Sequence, residues 1–202
     1  MATSAGASLP VQQRAWDTRE RILRAAVECL AEEGYQATTT SRIQQRAGVS
    51  RGSLLHQFPV RDDLLVAAMK HLAAERTEDL ARFGDSSSGG LDEAVDALWD
   101  TYHGPLFTAS RELWFAAAHN PDLAAALAPH EHAVMKVIRE QVLPGLFGAH
   151  RAARPAFVDL TSLLVSSMRG VALTYAFEPR DHRRDPNLAL WRSTAHAMLD
   201  ER

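Results

Sequence analysis

Four arginines, Arg42, Arg46, Arg51 and Arg61, fall between Gln36 and Arg61, a stretch without a single acidic residue. A guanidinium keeps its charge at any biological pH. Its fork of donors fits a phosphate or the O6 and N7 edge of guanine. Short polar side chains stand among the arginines: Thr39, Gln45, Ser50, Ser53, His56 and Gln57. Such a set can hold anions and read base edges. Covalent chemistry finds no support here or elsewhere. The chain has no nucleophile motif, no Gly-rich phosphate loop and no HExxH. Its nine histidines are scattered. His130 and His132, two apart, fall on different faces of a helix, and no Cys or His spacing matches a zinc site. The residues point away from an enzyme and call for no metal and no cofactor.

The net charge of −3 hides an asymmetry. Residues 1–61 carry eight arginines against five acids, whereas residues 62–202 carry fourteen basic residues against twenty acidic ones. A basic face on an acidic body is the footprint of a nucleic-acid-binding unit attached to something that does other work.

The element that must position the arginines runs from Thr38 to Phe58, TTTSRIQQRAGVSRGSLLHQF. It reads as a short helix, a turn and a second short helix. Ile43 and Ala47 share one face of the first helix. Gly48 supplies the turn, where a left-handed backbone costs little without a Cβ. Val49 plugs the gap between the helices, and Ser50 can cap the second helix. Leu54 and Phe58, four apart, form the buried stripe of that second helix. This is a helix-turn-helix whose second helix enters the DNA major groove. Arg51, Ser53, Leu55 and His56 are expected to face bases, with Ser50 and Gly52 at the helix start. Thr39, Arg42, Gln45, Gln57 and Arg61 are expected to face phosphates.

The flanking chain is read as all-α, because no stretch alternates with period two. Residues 1–15 are expected to be a disordered tail, with Arg14 within reach of a phosphate. A helix from Asp17 to Glu33, capped by Asp17 and ended by Gly34, precedes the motif. Another follows over 61–83. GDSSSGG, from Gly84 to Gly90, reads as a flexible boundary. Helices are then expected over 91–103, 110–119, 122–143 (kinked at Pro129), 156–177 and 187–199. The division is 16–60 for the helix-turn-helix and 61–202 for the helical body, with 61–83 connecting them. The lone Cys29 excludes an internal disulfide and reads as a buried thiol. No signal sequence is visible, and no apolar run approaches a membrane span. A cytoplasmic protein is the expectation.

The stretch TRERILRAAVECLAEEGYQATTTSRIQQRAGVSRGSLLHQFPVRDDLL resembles the N-terminal domain of TetR-type transcriptional regulators. The likeness is carried by Gly34-Tyr35, Thr39, Ala47-Gly48-Val49-Ser50 and Gly52-Ser53-Leu54-Leu55-His56-Gln57-Phe58. It covers roughly residues 18–65. Leu55 stands where that family commonly has Tyr, and Arg61, two positions after Pro59, replaces the usual Lys and keeps its charge. The resemblance implies a C-terminal helical domain that binds a small molecule and dimerises through its last two long helices. Candidate dimer residues are Leu160, Leu164, Ser167, Val171, Leu188, Trp191, Ala195 and Met198. Candidate ligand residues are Trp99, Tyr102, His103, Phe107, Trp114, Phe115, Met135, Leu163 and Met168, which suit an apolar or aromatic effector. The combined reading is a homodimeric, ligand-responsive regulator, a repressor, released from a palindromic double-stranded DNA operator. The alternatives are a constitutive DNA-binding regulator without effector, or a helical enzyme or lipid carrier.

Overall fold

A computed structural model describes residues 11–86 and 90–200, and among these every regular element is a helix. The first helix, α1, spans Val11–Ala37 and so begins before the expected Asp17. Residues 1–10, with most of the expected tail, lie outside the described residues, as does the side chain of Arg14. Asp17 therefore sits inside the helix and does not cap it. The stripe Ile22, Leu23, Ala26, Val27 and Leu30 is buried, as is Cys29. Burial pushes the Cys29 thiol pKa up, so it behaves as a small apolar side chain.

Near the end of α1, Gly34 adopts φ 77° and ψ 170°, a region essentially reserved for glycine. An alanine Cβ there would also lie 3.0 Å from Glu112 Oε2. The break turns the chain into α2 (Thr40–Ala47), capped by Thr39, whose hydroxyl accepts from the Arg42 N–H. Gly48 at φ 63° makes the left-handed turn. Helix α3 (Arg51–Gln57) starts at Ser50, whose Oγ accepts from Ser53 N at 3.1 Å.

Helix α4 runs Arg61–Ser86, longer than expected, and α5 covers Leu91–Asp100. The expected flexible boundary is thus helical through Ser86, and residues 87–89 lie outside the described residues. Gly90 opens α5, donating its N–H to Glu93 Oε2 at 2.8 Å. A tight turn over Thr101–His103 leads to α6 (Pro105–Ala117). Helix α7 spans Pro121–Val137 with Pro129 inside it. It widens over Ile138–Val142 into the short α8 (Leu143–Phe147) and α9 (Ala149–Ala152). The long apolar helix α10 is Phe157–Thr174, and α11 is Asn187–Leu199.

Two apolar cores result. The first joins Ile22, Ala26 and Leu30 of α1 to Ile43, Leu54, Phe58, Leu64 and Leu65. It does not close on itself: Ala109 and Leu113 of α6 and Leu123 and Leu127 of α7 belong to it. The second core is built from α5, α8, α10 and α11, around Trp99, Phe147, Leu160, Leu164, Met168 and Trp191. A polar knot ties the helix-turn-helix to the body. The Tyr35 hydroxyl sits 3.0 Å from Asp62 Oδ1, and Asn120 Nδ2 donates to Asp62 Oδ2 at 3.3 Å. The Arg61 guanidinium lies over the Tyr35 ring at 4.2 Å. One knot therefore holds the end of α1 and the starts of α4 and α7.

Helix α10 has 18 residues and a mean hydropathy of 1.2, long and apolar enough by those measures to cross a membrane. This corrects the expectation that no run approaches that length. Its inner face packs into the second core, and its outer face carries Asp159, Ser162 and Ser166.

Candidate nucleic-acid interface and ligand cavity

Helix α3 projects Arg51, Gly52 and His56 into solvent, with Ser53, Leu55 and Gln57 half-buried beside them. Leu55 packs against the first core, the alternative to a thymine contact that its apolar side chain allows. A Cβ on Gly52 would meet nothing within 4 Å, so nothing inside the protein demands glycine there. A shallow cleft of about 150 Å³ joins the starts of α2 and α3, lined by Thr39, Thr40, Ser41, Gln44, Arg51, Leu54 and Leu55.

The four arginines are not equivalent. Arg42 Nε donates to Glu33 at 2.8 Å, and its Nη1 donates to Gln45 Oε1 at 3.2 Å. Arg46 sits among Glu28, Glu32 and Glu33 of α1. Hydrogen bonds from these arginines hold the Glu32 and Glu33 carboxyls below their usual range. Arg61 pairs with Asp62 at 3.1 Å. Among the described residues, Arg51 alone of the four has no ion pair. The acid-free segment is thus partly neutralised from α1, an arrangement that a count along the sequence hides.

Deeper in the body lies a cavity of about 130 Å³. Its walls come from α4 (Met69, Ala73), α5 and its following turn (Leu98, Thr101, Tyr102) and α6 (Leu106, Phe107, Ser110, Trp114). They are completed by α7 with its wide turn (His130, Glu131, Val134, Met135, Ile138, Val142) and by α10 (Val165, Arg169). Tyr102, Phe107, Trp114 and Met135 are therefore brought together. The other five candidates are elsewhere. Trp99 is fully buried, donates its indole N–H to the His182 carbonyl at 2.9 Å and touches Trp191 at 4.7 Å between ring centres. His103 stacks on His182 at 4.2 Å in the same aromatic cluster. Met168 is 0% exposed in the second core, while Phe115 and Leu163 are 56% and 50% exposed.

The cavity's polar residues, Thr101, Ser110, His130, Glu131 and Arg169, are not among the sequence-based candidates. Arg169 carried a usable signal, as the only charged residue between Asp159 and Glu178 of an apolar stretch. The candidate dimer residues need a correction as well. Leu160, Leu164, Leu188, Trp191 and Ala195 fill the chain's own second core, and Val171 and Met198 pack against it. Ser167 Oγ accepts from Trp191 Nε1 at 3.0 Å within that core. The outward faces of α10 and α11 instead present Val158, Leu163 and Leu190, at 68%, 50% and 60% exposure.

A capped helix-turn-helix with an exposed second helix, set on a helical body with an internal cavity, defines a DNA-binding regulator class. Residues 22–68 match the model of the family described as bacterial regulatory proteins, tetR family. That match places a TetR-type DNA-binding domain in the N-terminal part of the chain. The chain is 33% identical over 112 residues to the HTH-type transcriptional regulator BetI of Stenotrophomonas maltophilia, covering 52% of this chain and 57% of that protein. The chain thus spans little more than half of that relative. It is 29% identical over 168 residues to the HTH-type transcriptional regulator CymR of Pseudomonas putida, with 80% of each covered. The structure of the transcriptional regulator FadR of Bacillus subtilis, in complex with stearoyl-CoA, shares the fold. Its TM-score is 0.62 at 15% identity, over 89% of this chain and 97% of that one.

Proposed function

We propose that the chain is a cytoplasmic, homodimeric repressor that reads a roughly palindromic operator through α3 and releases it when a small apolar or aromatic molecule fills the cavity. In this reading residues 16–60 read DNA and residues 61–202 sense the effector and dimerise. The observation that carries it is the position of α4. Leu64 and Leu65 of this helix lie in the first core, while Met69 and Ala73, further along it, line the cavity. One rigid helix therefore touches both the unit that holds α3 and the space a ligand would occupy. A ligand that binds one placement of α4 more tightly than another shifts the population of α3 placements. FadR, whose fold this chain shares, has been captured with stearoyl-CoA, which supports a ligand role for a body of this kind. The outward apolar faces of α10 and α11 suit a two-fold partner, which would present two copies of α3 to grooves about a helical turn or more apart.

The test is a gel shift of the full chain on the DNA upstream of its own gene, with and without candidate effectors. Binding that a cavity-filling compound reverses is the expected result. Binding that no apolar or aromatic compound releases indicates a constitutive regulator, and no binding at all defeats the proposal.

A further inference from the structure

We infer that the effector is an anion, an apolar group of about one ring or a short alkyl chain bearing a carboxylate that Arg169 grips. This rests on the reading of the cavity as the effector site. Arg169 reaches the cavity wall from the middle of α10. Its Nε is buried and has no hydrogen-bond partner. Its Nη2 donates to the Met135 Sδ at 3.1 Å, and a thioether is a weak acceptor. The guanidinium also lies over the Trp114 ring, 5.1 Å from its centre. Among the described residues no carboxylate pairs with it.

The Nε–Nη2 edge is the side of the guanidinium that takes a carboxylate through two parallel bonds. Here that edge is left with one vacant donor and one poor acceptor, in a mostly apolar site. A cation drawn partly out of water is costly without an anion. The protein supplies none, so the missing partner fits an incoming ligand. The Tyr102 hydroxyl stands close by. It donates to the Val165 carbonyl at 3.3 Å, and burial raises its pKa although the charge of Arg169 and a hydrogen bond from that guanidinium pull the other way. The volume of about 130 Å³ is near that of an engineered apolar cavity of about 150 Å³ that holds benzene.

Glu131 is the competing feature. It lines the same cavity from α7, one turn before Met135. A cationic ligand would use it. It is only half-buried, and neither of its carboxylate oxygens is a buried group without a partner, unlike Arg169 Nε. His130, whose pKa burial lowers, adds no charge near neutral pH.

Calorimetric titration of the full chain tests the inference with benzoate, phenylacetate and hexanoate, each beside its primary amide. The acids should bind at least about tenfold more tightly than the amides, as expected for a hydrogen bond to a charged group. Arg169→Met should bring the acids down to the level of the amides and leave the amides unchanged. Arg169→Lys, which keeps the charge without the forked edge, should lose part of the advantage if the methionine variant does not fold. Glu131→Gln should leave acid binding intact or strengthen it. Amides that bind as well as acids, acids that keep their advantage in Arg169→Met, or acid binding lost in Glu131→Gln would each overturn the anion and leave the cavity standing. Ser110→Phe, which fills the cavity, should abolish binding of both sets. Binding that survives it, or no binding of any probe to the natural chain, defeats the cavity reading and this inference together.

Discussion

Replacing Arg51 with alanine should weaken operator binding roughly 10- to 100-fold, the range for losing a bidentate arginine contact to guanine. Arg51 stands exposed at the first turn of α3 with no ion pair among the described residues. It also lines the cleft between the starts of α2 and α3. Fluorescence anisotropy on a cognate and a scrambled duplex separates the two ways it can act. A base contact costs affinity on the cognate duplex alone. A phosphate contact costs similar affinity on both and lowers the salt slope by about one. Arg42→Ala and Arg46→Ala should behave differently. Both side chains are already committed to glutamates of α1, so their loss should show first in the packing of α2 on α1. Equal effects of all three substitutions on the salt slope would contradict this division.

The second large effect is expected far from DNA. Asp185→Ala should destabilise the fold by about 3 kcal/mol, the order for removing one partner of a buried charged network. The Asp185 side chain is 0% exposed in the connection between α10 and α11. It accepts from the Tyr175 hydroxyl at 2.7 Å, from Asn187 N and Nδ2 at 2.9 Å and from Arg180 Nη2 at 3.3 Å. Burial alone would raise its pKa. The bonds from Tyr175, Asn187 and Arg180 outweigh burial and hold the carboxyl below the ordinary range. Partial burial, and after it the hydrogen bond donated to Asp185, pushes the Tyr175 phenol up to about 12. Because the folded pKa is depressed, the stabilisation is present above the unfolded carboxylate pKa and lost as pH falls through the folded value.

His103 acts in the same direction at a higher pH. Burial takes its pKa down to about 4 from an ordinary 6.5. Between those values the unfolded chain binds a proton that the folded chain refuses, so acidification favours unfolding. Thermal melts should show stability falling from about pH 6.5 downward, and the Asp185→Ala variant should lack the part lost at the most acid end. A melting temperature unchanged by Asp185→Ala at pH 7 would contradict the network's role.

The helix-turn-helix was legible because its signals are local. Thr39, Gly48 and Ser50 act through their own backbone neighbours, and the structure shows each in its cap or turn. The arginines were less legible, since Arg42 and Arg46 are neutralised by residues nine to eighteen positions earlier in α1. Helix α10 was misread for a different reason. It is apolar on most of its circumference, so periodicity could not separate the stripe that fills its own core from the stripe that faces out. Leu160 and Leu164 went inward, and Val158 and Leu163 outward. Aromatic residues behaved likewise: Trp99 and Trp114 look alike in the sequence, yet one is packed solid and the other borders a cavity. That difference is set by tertiary packing.

The most direct test of the central claim is selection of bound duplexes from a randomised DNA pool by the full chain, followed by sequencing. An inverted repeat whose half-sites lie about one helical turn or more apart should be enriched, and the enrichment should be lost in Arg51→Ala. A pool that emerges without enrichment, or a repeat enriched equally by Arg51→Ala, would contradict that claim.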